Sequence, residues 1–218
     1  MGAEGEFLRQ LRRPDLAADE IAKVLRNPEA RRLHAVRLAI ARHRNTPRSD
    51  ALTLVETLYW RDLSHLSADA RVHPEVRRAA DTQLLRRLPE MAVAERVTVA
   101  RLAGRGSLVA LRLDPDPRVL EAVLNNRFVT EPDVVQAAAQ ARTQPAALAT
   151  IAGHPRWSLQ RGVRDALLRN PALPPASAEA LLDRLTDREL ELLRSETAGP
   201  PQVRKIAQRI LARRVRAV

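Results

Sequence analysis

The chain has no cysteine. That absence removes disulfides, thiolate-held iron–sulfur clusters, cysteine-ligated zinc and a cysteine nucleophile together. Aromatic residues are nearly as scarce, with two Phe, two Trp and one Tyr in 218 residues. Nucleic-acid bases would find few rings to stack on. β-Branched residues never alternate over a strand length, so no strand or hairpin is expected. Long apolar runs are also missing. None approaches the ~18 residues that cross a bilayer. The opening MGAEGEFLRQLRRPD has no signal-peptide core. Gly2 invites a myristoylation reading, but Glu6 stands where that motif needs Ser or Thr.

Motifs that carry chemistry are absent as well. The GRG at 104–106 has no strand before it and reads as a loop, not a phosphate cradle. No Walker A, Rossmann or G-x-S-x-G pattern occurs. The histidines at 34, 43, 65, 73 and 154 show no metal-ligand spacing. His73 and His154 each precede a Pro and read as turn residues. The expectation is a cytoplasmic, non-enzymatic protein with no metal or other cofactor and no membrane segment.

What the chain does have is Ala, Leu and Arg, all strong helix formers. Lysine is confined to Lys23 and Lys205. The formal net charge is +11. Its basic excess sits in the two end thirds and spares the middle, and acids are interspersed throughout. That charge keeps nucleic acid open as a partner, although the mixture of signs argues against a continuous phosphate track.

The strongest signal is an internal repeat. Sliding the chain against itself by 127 places aligns residues 28–88 with 155–215 without a gap. VHPEVRRAADTQLLRRL at 72–88 falls on GPPQVRKIAQRILARRV at 199–215. Val36, Val76, Val119, Val163 and Val203 recur every 40 to 44 residues, with apolar residues three and four places after each. That is one buried helix face written five times. A Leu/Ala-rich segment precedes each Val helix, and a short apolar piece sometimes lies between the two. Breakers such as NTP at 45–47 and NPALPP at 170–175 separate the units.

The period and helix content resemble HEAT-like α-solenoids. Residues 145–174 are also similar to the bacterial leucine-rich repeat variant pattern, where Pro, Leu, Ala and Pro precede Val-Arg and then Asn-Pro. The resemblance implies an all-α fold: a right-handed α-solenoid, or superhelix, of about five HEAT/armadillo-like repeats of 40–44 residues. One domain would span 1–218, with units at roughly 14–45, 46–90, 91–127, 128–170 and 171–216. Such folds are commonly binding scaffolds, so a protein partner on the concave face is expected.

In HEAT-like folds the second helix of each unit lines the concave side. The candidate binding residues are therefore those two and six places after the Val: Arg42, Arg78, Arg169, Lys205 and Arg209. The Val-Arg pairs themselves, with Arg37, Arg77, Arg164 and Arg204, read as scaffold. Their expected partners are the acids just before each Val helix: Asp69, Asp114, Asp116 and Glu196. LYWRDLSH at 58–65 resembles the Trp and Asp pairing of DNA glycosylases of the HEAT-like AlkD type. Here Trp60 and Asp62 are sequence neighbours, and Asp62 recurs as Glu189 in the repeat. Both points assign Asp62 to the framework, with nucleic-acid binding kept as the alternative function.

Overall fold

A computed structural model describes residues 2–196 and 199–216. All regular structure among them is helical. The order begins with α1 (Ala3–Leu11), α2 (Ala18–Arg26), α3 (Pro28–Arg32) and α4 (His34–Arg42). Next come α5 (Arg48–Val55), α6 (Trp60–Ala68) and α7 (Pro74–Arg87), then α8 (Val93–Leu102), α9 (Arg105–Leu111) and α10 (Pro117–Leu124). The last six are α11 (Glu131–Ala139), α12 (Pro145–Gly153), α13 (Arg161–Arg169), α14 (Pro175–Leu182), α15 (Asp187–Ser195) and α16 (Pro201–Val215). Short 3-10 turns occupy Leu88–Glu90 and Trp157–Leu159. The chain forms two compact units, Met1–Ala110 and Leu111–Val218.

Local chemistry sets the helix ends. Pro opens α7, α10, α12, α14 and α16, where a missing N–H costs nothing. Thr186 and Glu189 cap α15 reciprocally, and at α11 the Thr130 N–H and hydroxyl both donate to the Asp133 carboxylate. Most of these helices are too short to stand alone in water, so packing must hold them. All five repeat valines are buried, and so are the residues four places after them: Ile40, Ala80, Val123, Leu167 and Ala207. Ala39, Ala79 and Ala166, three places after, stay half-buried at the edge of the stripe.

Two sequence expectations change. The short middle piece is not occasional: α6, α9, α12 and α15 are all full helices, so the units from residue 48 onward have three helices each. The GRG stretch is not only a loop, because α9 starts at Arg105 inside it. Its glycines serve close approach. A Cβ on Gly104 would lie 2.5 Å from the Ser67 carbonyl oxygen, and one on Gly106 would strike the Asp81 carboxylate. Asp81 instead accepts from the Ser107 N–H at 3.0 Å and the Ser107 hydroxyl at 2.6 Å, which ties α9 to α7.

The duplication extends further than the sequence matches. Adding 127 to the bounds of α2, α4, α5 and α6 gives the bounds of α12, α13, α14 and α15. α7 and α16 share their start. First and third helices pack together in three of the triplets: α5 on α7, α11 on α13 and α14 on α16. Polar contacts repeat as well. Arg87 donates to the Leu58 and Glu56 carbonyls at 2.8 and 3.4 Å. Its counterpart Arg214 donates to the Leu185 and Asp183 carbonyls at 2.9 and 2.8 Å. His43 bonds the Arg13 carbonyl, and the corresponding Asn170 donates to that of Gln140. Each contact satisfies carbonyls that a helix end or turn leaves open.

Candidate functional site

In the second unit a cleft of about 170 Å³ lies between α13, α15 and α16. Its apolar wall includes Leu168, Leu192, Leu193 and Val203. Its basic groups are Arg161, Arg164, Arg169 and Arg204; its acids are Asp165, Glu189 and Glu196. Three of the guanidiniums face these acids at long range: Arg164–Glu189 at 3.5 Å, Arg161–Asp165 at 3.7 Å and Arg169–Glu196 at 3.8 Å. These are Coulombic contacts, not tight hydrogen bonds. Glu189 spends its close bonds on capping: the Thr186 N–H and hydroxyl donate to it and hold its carboxyl below the ordinary range. The Arg204 guanidinium makes no hydrogen bond or ion pair with any described residue; its backbone N–H donates to the Pro200 carbonyl.

The corresponding place in the first unit is built differently. Position 199 is Gly, while its counterpart 72 is Val, buried at 3 % exposure. Position 193 is a half-buried Leu; its counterpart Leu66 has no exposure at all. The edge differs too. Where the second unit has Arg161, the first has His34, whose Nε2 lies 2.7 Å from Asp62. Arg37 reaches His34 Nδ1 at 3.4 Å, so Nδ1 accepts and the proton sits on Nε2, donated to Asp62. Tyr59 stacks on the same ring, with centroids 4.3 Å apart. Both ring nitrogens of His34 are thus occupied, and the bond joins α4 to α6.

The five predicted binding residues divide between the units. Arg42 and Arg78 are in the first; Arg169, Lys205 and Arg209 are in the second. Of these, only Arg169 lines the cleft. Arg42 donates to Asp69 at 2.7 Å, and Arg209 to Glu179 at 2.9 Å. Arg78 and Lys205 are exposed and carry no side-chain partner among the described residues. The acids before the Val helices take different partners from those expected. Asp69 takes Arg71 and Arg42, Glu196 takes Arg169, and Asp116 takes Arg118. Arg71 foremost, with Arg42, holds the Asp69 carboxyl far below its ordinary range. The Nε atoms of Arg37 and Arg77 are buried without a bond. The reason is reach: Arg42 and Arg169, six places after the Val, sit at a helix end within range of the acid, and Arg71 and Arg118 stand two places after the acid they bond.

Sequence reasoning missed Arg164, Leu193, Gly199 and Arg204 as cleft residues. Their signal was present as disagreement between the copies, above all Val72 against Gly199. Trp60 is half-exposed beneath Arg61, and Trp157 is buried with its Nε1 donating to the Leu124 carbonyl at 2.8 Å. His73 and His154 act in turns, each accepting a backbone N–H on Nδ1. Burial, then Arg156, lowers the pKa of His154, in keeping with a neutral acceptor. No group of metal-ligating side chains occurs among the described residues, and no described helix is long and apolar enough to cross a membrane. No protein-family model, curated protein or solved structure matches the chain.

Proposed function

We propose that the chain is a non-enzymatic binding scaffold, a right-handed α-solenoid of HEAT-like helical units that engages a partner protein. One observation carries the reading. The two copies keep their framework bonds, Arg87 with Arg214 and His43 with Asn170, and differ at the edge of one groove. A scaffold diverges in this way when its copies must pack alike but meet different surroundings. Selection of a random peptide display library on the immobilised chain tests it. Enrichment of a related peptide set with micromolar affinity is expected. No enrichment over a bare support would overturn it.

The net charge of +11 favours a second reading, nucleic-acid binding through Arg78, Lys205 and neighbouring cations. Titration of random duplex DNA across salt separates the two. Micromolar affinity with a steep salt slope would support the second. An excision activity of the AlkD type within that reading requires Asp62, which is bonded to His34. Release of alkylated bases lost in Asp62→Asn would establish it.

A further inference from the structure

We infer that the cleft of the second unit receives an aliphatic side chain of a partner protein with a carboxylate close beside it. The inference rests on the scaffold reading and names the occupant of one site. The molecule contains its own template. At the equivalent place in the first unit the Val72 isopropyl group is buried and Leu66 is fully covered. In the second unit that isopropyl group is missing at Gly199, and Leu193 is left half-exposed. A Leu or Val from outside supplies what Val72 supplies internally. Among the described residues, a Cβ at Gly199 would meet nothing nearer than the Glu196 carbonyl oxygen at 4.0 Å, so none of them fills the space.

Size and charge narrow the occupant. About 170 Å³ suits one or two side chains; it is below the ~300 Å³ at which small-molecule sites begin. Leu192 stands 63 % exposed at the rim, ready to cover an inserted side chain. The Arg204 guanidinium has no partner among the described residues, and Arg164, Arg161 and Arg169 hold their acids at 3.5–3.8 Å. A carboxylate beside the aliphatic group would take the charge-assisted bonds these guanidiniums lack. A phosphate backbone fits worse. Asp165, Glu189 and Glu196 would repel a polyanion, and no aromatic ring lines the cleft for a base.

The probe is a fluorescein-labelled twelve-residue peptide pool with a central Leu, Glu two and three places after it, and Ala, Ser or Gly elsewhere. Companion pools carry Ala for the Leu or Gln for the Glu. Wild type should bind the first pool, and either companion at least about tenfold more weakly, a difference of about 1.4 kcal/mol. Gly199→Val, which refills the cleft, should weaken the first pool at least about tenfold, while Arg78→Glu should not. Arg204→Gln should weaken the Glu pool and leave the Gln pool unchanged. Gly199→Ala, with unchanged circular dichroism, provides a milder filling that guards against misfolding. Equal binding by wild type and Gly199→Val, or no binding of the first pool, overturns the inference. If display peptides still bind Gly199→Val, the site falls and the scaffold reading stands. If no peptide is selected and duplex DNA alone binds, both fall.

Discussion

α4–α7 and α13–α16 are the same helices folded twice, and they are finished differently. In the first set a His34–Asp62 bond, a Tyr59 stack and the buried Val72 occupy one groove. In the second, Arg161, Thr186 and Gly199 stand at those positions and a cleft remains. The arginines that close helix ends, Arg87 and Arg214, are unchanged in identity and in partner positions. The lesson is a division of labour within one pattern. Backbone carbonyls at helix ends impose the same demand in both copies, so their donors persist. Groove edges carry no such demand, so they vary.

The copies also differ in how their cores are filled, and this difference should give the largest effect. Trp157 is 1 % exposed where the first copy has Ala30. Trp157→Ala should cost about 3–5 kcal/mol in a denaturant titration. A cost near that of a surface substitution would break the claim that this Trp is core.

The exchange at 72 and 199 comes next. Val72→Gly should cost about 2–3 kcal/mol, because it uncovers a buried isopropyl site. Gly199→Val should be neutral or stabilising, with a shift under about 1 kcal/mol. Equal costs for both would show that the two sites are not counterparts.

The ion pairs at the helix ends sharpen the contrast on a smaller scale. Arg42–Asp69 is tight at 2.7 Å, and Arg169–Glu196 is loose at 3.8 Å. Asp69→Asn should cost about 2 kcal/mol, and Glu196→Gln less than about 0.5 kcal/mol. The pH dependence has a definite sign. Folding lowers the Asp69 pKa below the 3.8 of an ordinary Asp carboxyl. As pH falls the unfolded chain therefore takes up the proton first. The stabilisation is present above pH 3.8 and is lost progressively below it. Asp69→Asn should flatten this acid limb in pH-dependent melting.

Much of the framework was legible in the chain. The valine spacing marks five helices, each with a buried valine, and the 127-place offset marks the duplicated bounds. Pro at positions 74, 117 and 201 marks helix starts. Identity matching starts at Pro28 and so misses the pairing of α2 with α12, where apolar character persists but identities are few. The ion-pair partners were misread because order along the chain ranks an acid by nearness to the next Val. Reach decides the bond instead, from a helix end for Arg42 and Arg169 and from two places along the chain for Arg71 and Arg118. The cleft was hidden for a related reason. It comes from a mismatch, Val72 against Gly199, and a search for identities passes over mismatches.

The most direct measurement is a titration of a display-selected peptide into ¹⁵N-labelled protein, followed through backbone amide shifts. The account predicts changes concentrated at Leu168, Leu193, Val203 and Arg204. Their counterparts Ala41, Leu66, Val76 and Arg77 should stay still. Equal shifts in both copies, or shifts at the first alone, would contradict it.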